Sequence, residues 1–149
     1  FVGQNLGADN MKRARKGTMV ALFISIATAL ILMAPVIIFA PFLASLFTNE
    51  PEVLTYGIHF IRLMMPFYLA ISFNQIFANA LRGAGNSVTP MVIMMGSFIV
   101  FRQIYLYFIS KYFNNITATA LGYPLGWVLC SILLIIYYWK VGLNVKKKI

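Results

Sequence analysis

Two apolar runs, Ile61 to Ala80 and Met91 to Ser110, are held apart only by the polar stretch Leu81-Arg82-Gly83-Ala84-Gly85-Asn86-Ser87-Val88-Thr89-Pro90. Each run matches the ~20 apolar residues that a helix needs to cross the hydrocarbon core of a bilayer. Backbone polar groups in that core have to be satisfied within the segment, so such runs fold as α-helices. The stretch between them is long enough only for a tight turn joining antiparallel helices. Gly83 is placed to end the first helix in the left-handed conformation, which glycine adopts without a Cβ clash. Thr89 is placed to cap the next helix, with Pro90 at its first position.

Two further apolar runs flank this pair. The first spans about Gly17 to Phe39, and Pro35 and Pro41 interrupt its outer end. Each proline frees a carbonyl four residues back, so a kink is expected. Asp9 or Asn10 is placed to cap the start of that helix. Asn49 with Glu52 three residues on has the form of a capping box for the second span. Pro66 predicts a bend in the second span, and Pro124 another in the fourth. The fourth run spans about Thr117 to Trp139, after a turn at Asn114-Asn115. The expected order is a polar loop motif over 1–16, membrane helices over 17–47, 50–82, 88–113 and 116–140, and a basic tail over 141–149.

Charged residues make up only 10% of the chain, against roughly a quarter in a soluble domain. The fold class is therefore an all-α membrane protein with four transmembrane helices. The formal charge of +9 does not point to nucleic acid, because the basic residues cluster at helix ends without an interleaved polar surface. They report topology instead. Lys12, Arg13, Arg15, Lys16, Arg82, Lys140, Lys146, Lys147 and Lys148 fall on one side; Lys111 falls on the other, with Glu50 and Glu52. The positive-inside bias makes the first side cytoplasmic, and with it the polar N-terminal loop and the basic tail.

Within the spans, Tyr68, Ser72, Gln75, Asn79 and Arg82 recur at steps of 4, 3, 4 and 3 and so share one helix face, with Asn74 beside them. Polar groups in a membrane helix turn toward the bundle or a water-filled cavity, since lipid cannot satisfy them. The stripe therefore either lines a pathway or bonds helix to helix; its length favours the pathway. Arg102 stands roughly 18 Å along the third helix from Pro90, near the middle of the bilayer. It calls for a water-filled pathway, a partner carboxylate, or snorkelling beside Tyr105 and Tyr107. No acidic residue lies in the interior of the four spans. In the fourth span Ala118, Gly122, Gly126 and Cys130 are spaced four apart and read as a ridge for close helix packing.

Reactive chemistry is not indicated. Cys130 and His59 are each the sole residue of their kind, which excludes a disulfide framework and a metal-ligand set within the chain. Gly83-Ala84-Gly85 is too short for a nucleotide-binding loop. The reading is a non-enzyme with no cofactor and no metal site.

Two motifs carry a resemblance. Gly3-Gln4-Asn5-Leu6-Gly7-Ala8 followed by Arg13-Ala14-Arg15, and Leu81-Arg82-Gly83-Ala84-Gly85-Asn86-Ser87 with Pro90, resemble the multidrug and toxic compound extrusion (MATE) family. The residues around Pro51-Glu52-Val53 and Arg62 to Tyr68 are similar to the C-terminal lobe of that family. The resemblance implies a twelve-helix transporter of two six-helix lobes, of which this chain would supply the last four helices, the other lobe preceding Phe1. It implies export of small-molecule drugs, often cationic, against H⁺ or Na⁺ by alternating access in the plasma membrane. Some members carry an acidic residue in the helix matching the second span. Here Asn74, Gln75 and Asn79 stand without one, which shifts the expected coupling carboxylate to the other lobe. A lipid-linked sugar flippase and a non-transporting four-helix membrane subunit are the alternative readings.

Overall fold

A computed structural model describes residues 1–112 and 116–143. The expected turn at Asn114-Asn115, the end of the third helix at Phe113 and the lysines of the tail lie outside the described residues. Helix α1 (Val2–Gly7) is short and leads through a tight turn to α2 (Met11–Ile38). Of the two capping candidates Asn10 acts: its side-chain oxygen accepts the Arg13 N–H at 3.0 Å. Asp9 occupies the turn at a φ of 57°. That cap starts α2 ahead of the basic residues, so the first helix begins before residue 17. The helix also passes through Pro35 and stops at Ile38, where the Phe39 N–H bonds the Pro35 carbonyl at 2.8 Å. Helix α3 (Ala40–Ser45) follows with Pro41 in its first turn, so the expected continuous 17–47 helix is two helices.

Helix α4 (Pro51–Met64) starts on Pro51, whose fixed φ suits a first helical position. The capping box of Asn49 and Glu52 does not form. Glu50 is the N-cap, no side chain caps the helix, and the Glu50 N–H bonds Thr48 Oγ1 at 3.2 Å. A 3₁₀ turn over Met65–Phe67 carries Pro66 and leads into α5 (Tyr68–Gly83). The helix therefore changes pitch where the proline cannot donate to the ladder.

The turn after α5 differs from the expected one in which glycine does what. Gly83 is the last helical residue, and it is Gly85 that takes a positive φ, 88°. The Asn86 N–H bonds the Leu81 carbonyl at 3.0 Å and the Gly85 N–H bonds the Arg82 carbonyl at 2.9 Å. This is the Schellman pair, with Gly85 as its left-handed residue. Helix α6 (Val88–Met95) begins one residue before Thr89. Ser87 is the N-cap residue and lends no side-chain bond; the free N–H at Thr89 goes to Asn86 Oδ1 at 3.2 Å, so Thr89 does not cap the helix, and Pro90 is buried at the third position instead of the first.

A stretch of π-helix over Gly96–Val100 joins α6 to α7 (Phe101–Tyr112). Helices α8 (Ile116–Ala120) and α9 (Gly122–Val141) complete the described chain, separated at Leu121. Four helical stretches are long and apolar enough to cross a membrane: Met11–Ile38, Pro51–Gly83, Val88–Tyr112 and Ile116–Val141. The fold is thus the expected all-helical membrane type. Its core lies where α2, α5 and α9 meet, around Ala14, Phe77, Ala78, Leu81, Cys130, Leu134 and Tyr138. Alanines on α2 and α5 let the backbones approach, and Phe77 fills the gap against Tyr138 with ring centroids 4.8 Å apart. Small residues serve α9 in the same way: a Cβ on Gly126 would stand 2.9 Å from the Ser97 carbonyl oxygen, in the π stretch.

Candidate translocation pathway

Helix α5 presents two different polar faces. Asn74 is fully buried and points at α9. Its Nδ2 donates to the Trp127 carbonyl at 3.2 Å, and its Oδ1 accepts from Ser131 Oγ at 2.9 Å. The Ser131 hydroxyl also lies within 2.8 Å of the Ala70 carbonyl and 2.9 Å of the Trp127 carbonyl. It has one proton to give, so it serves one of these acceptors at a time. Ser72 is buried as well. Asn74 and Ser131 therefore fasten the second span to the fourth.

The other face carries Tyr68, Gln75, Asn79 and Arg82, all exposed. Tyr68 packs edge-on against Trp127 with centroids 5.3 Å apart. Arg82 Nη1 donates to Asn79 Oδ1 at 2.9 Å, and its Nη2 reaches Met94 Sδ at 3.3 Å. Gln75 stands about 12 Å along the axis from the helix end at Gly83, well inside the span. Asn79 also borders a groove of about 470 Å³ between α1, α2 and α5, lined by Val2, Gly3, Gly17, Thr18 and Gly83 among others.

Arg102 finds a partner that the sequence reading did not name. Its guanidinium carbon lies 3.8 Å from the centroid of the Tyr123 ring, on α9. Its Nε is buried and has no hydrogen-bond partner among the described residues. The ring face supplies the electrostatic attraction that a carboxylate would otherwise give. Tyr105, expected beside it, packs its ring against Gly122 and donates its hydroxyl to the Ala118 carbonyl at 2.8 Å. Tyr107 is exposed and packs on Phe108.

The motif residues gather at the end of the bundle that carries Lys12 to Lys16. Gly3 lies against Gly83, with a Cβ on Gly3 only 2.9 Å from the Gly83 oxygen, whereas nothing surrounds a Cβ on Gly7. Gln4 is exposed, and its carbonyl accepts the Ala8 N–H at 3.1 Å. Asn86 Nδ2 donates to the Tyr137 hydroxyl at 2.8 Å, which ties the glycine turn to α9. Tyr123, Trp127, Ser131 and Tyr137 were all absent from the sequence expectation. The lone signal for Ser131 was a hydroxyl in an apolar run, and an apolar run hides which helix it faces.

The MatE family model matches residues 1–108, from α1 through most of α7, and so takes in both glycine motifs, the polar faces of α5 and Arg102. The chain belongs to the MatE family. Within that MatE match both glycine motifs meet in space, while the α9 residues that hold Asn74 and Arg102 lie beyond it. The chain is also similar to a protein of Shewanella oneidensis named FAD transporter, with 28% identity over 132 residues, which is 89% of this chain and 29% of the relative. The MatE chain described here thus spans less than a third of that relative's length.

Proposed function

We propose that this chain forms part of a secondary active exporter. The exporter moves organic compounds outward in exchange for H⁺ or Na⁺ by alternating access, with the basic end of the bundle cytoplasmic and the plasma membrane as its site. The observation that carries this reading is the exposed amide pair Gln75 and Asn79 on α5. Lipid cannot satisfy two amides at that depth, whereas a water-filled path between two lobes can. Membership of the MatE family supports the same reading.

A specific observation bears on the substrate. The three acidic residues, Asp9, Glu50 and Glu52, stand outside the span interiors, so an organic cation finds no counter-charge on this wall. Arg82 beside Asn79 suits a neutral or anionic solute better, and the relative is named FAD transporter. The flavin dinucleotide is therefore the second substrate class to set beside multidrug export. The test is efflux from liposomes holding the full-length protein, with a cationic dye and with FAD, under an imposed H⁺ or Na⁺ gradient. Dye efflux supports multidrug export and FAD efflux alone supports the second class. Neither solute moving through well-folded protein would sink the transport reading.

A further inference from the structure

At the basic end of the bundle, outside the faces of α5 just described, α2 and the end of α9 border an open cleft of about 240 Å³ lined by Arg15, Met19, Tyr138, Trp139 and Gly142. Its floor is fixed by backbone. Gly142 has a φ of 64°, a conformation that residues with a Cβ rarely adopt. A Cβ there would stand 3.3 Å from Arg15 Nη2, so the guanidinium rests directly over the glycine. Arg15 forms no hydrogen bond or ion pair among the described residues, although its five N–H donors are arranged to grip a phosphate in bidentate fashion. Lys12 and Lys16 lie on the same helix, one turn or less away, and Lys140 follows Trp139. Trp139 is 75% exposed, which suits an indole lying at headgroup level. Tyr138 adds a buried hydroxyl that has no hydrogen-bond partner among the described residues.

We propose that this cleft is a binding site for the headgroup phosphate of an anionic phospholipid. Arg15 holds the phosphate over Gly142, Trp139 lies against the glycerol region, and the exposed side of α2 at Met19 and Phe23 receives the start of an acyl chain. The depth is right for this occupant: Arg15 is in the second turn of α2 and Trp139 in the last turn of α9, so both are at the membrane interface. The guanidinium, without a partner among the described residues, is the charge complement. An anionic lipid gains from each nearby cation near the surface, and a cleft between spans gives that attraction a position.

The test uses the full chain in bilayers, in a form where Trp139 is the sole tryptophan, with Trp127→Phe among the changes. Brominated phosphatidylglycerol and brominated phosphatidylcholine are compared as quenchers of Trp139 fluorescence. The parent is expected to favour phosphatidylglycerol roughly fivefold or more, the factor that one well-placed cation contributes. Arg15→Gln is expected to bring that preference close to one. Lys12→Gln with Lys16→Gln is expected to lower it less than Arg15→Gln alone. Inorganic phosphate in large excess is expected to leave the quenching unchanged. Equal quenching by the two lipids in the parent would overturn the proposal, as would a preference untouched by Arg15→Gln. So would a lysine pair as costly as the arginine, which would mean a diffuse basic surface without a built site. Relief of quenching by inorganic phosphate would overturn the assignment to a lipid.

Discussion

A Cβ on Gly3 would stand 2.9 Å from the carbonyl oxygen of Gly83, so the two glycine motifs, well separated in sequence, meet backbone to backbone. Gly3→Ala forces that oxygen or α1 to move, because backbone cannot rotate aside as a side chain can. Overpacking of this kind costs about 1–3 kcal/mol. Gly83→Ala meets Val2 Cβ at 3.1 Å and the Gly3 nitrogen at 3.5 Å, both looser than 2.9 Å, and should cost less. Gly7→Ala meets nothing and should be neutral or slightly stabilising, by up to about 1 kcal/mol. Thermal unfolding of the three variants in detergent gives the order.

Gly85 makes a separate demand, on conformation alone. Its φ is 88° and there is open space around its Cβ position. Gly85→Ala should therefore cost about 1–2 kcal/mol from the left-handed backbone. Gly85→Asn should cost less, since asparagine tolerates that region. If alanine and asparagine prove equal in a melting experiment, the Schellman turn does not govern stability here.

Asn74 and Ser131 share a buried hydrogen bond. Each single change to alanine should lower the melting temperature, and the double change should fall short of the sum. The expected coupling is about 0.6–1.7 kcal/mol, the range for side-chain hydrogen bonds between membrane helices. Strict additivity in the double-mutant cycle would mean that the two groups do not support one another.

For Arg102 the ring of Tyr123 matters more than its hydroxyl. Tyr123→Phe keeps the π-face and should behave as the parent. Tyr123→Leu removes it and should cost about 0.5–2 kcal/mol. Arg102→Lys gives up the planar guanidinium and should fall between. Unfolding midpoints of the three proteins in one detergent separate these outcomes.

Transport should distinguish the two faces of α5. Gln75→Ala and Asn79→Ala are expected to slow efflux several-fold with expression and melting temperature unchanged, since both side chains are exposed. Asn74→Ala is expected to lower efflux only together with stability. Efflux measured beside the melting curve of each variant checks both statements, and unchanged efflux for both exposed amides would remove this face from the pathway.

The four spans were legible because length and lack of charge are properties of each run by itself. The cap at Asn10 was legible for the same local reason. What could not be read depends on a second helix. The step pattern of Tyr68, Ser72, Gln75, Asn79 and Arg82 placed them on one face, yet Ser72 is buried and Gln75 and Asn79 are exposed. Side chains near the edge of a face go inward or outward according to the neighbouring helix, and α9 is too uniformly apolar to show its own inner side. Tyr123 escaped notice beside Arg102 because a ring partner leaves no charge pattern in the sequence. Gly83 and Gly85 were confused because both are glycines at a helix end; only one is in the left-handed region, and the other is small for the sake of Gly3. The π stretch at Gly96–Val100 has no recognisable composition at all.

The bond between Ser131 and Asn74 joins residues 57 positions apart, and the third span lies between them. During synthesis the second span leaves the ribosome well before its partner exists. At ordinary elongation rates of about 5–20 residues per second, that interval is about 3 to 11 s. Throughout it the amide of Asn74 has to be held by water, by the insertion machinery or by another part of the protein. The second span thus completes its buried polar contact only once the fourth is present, and the order in which the helices are made becomes part of how this bundle is assembled.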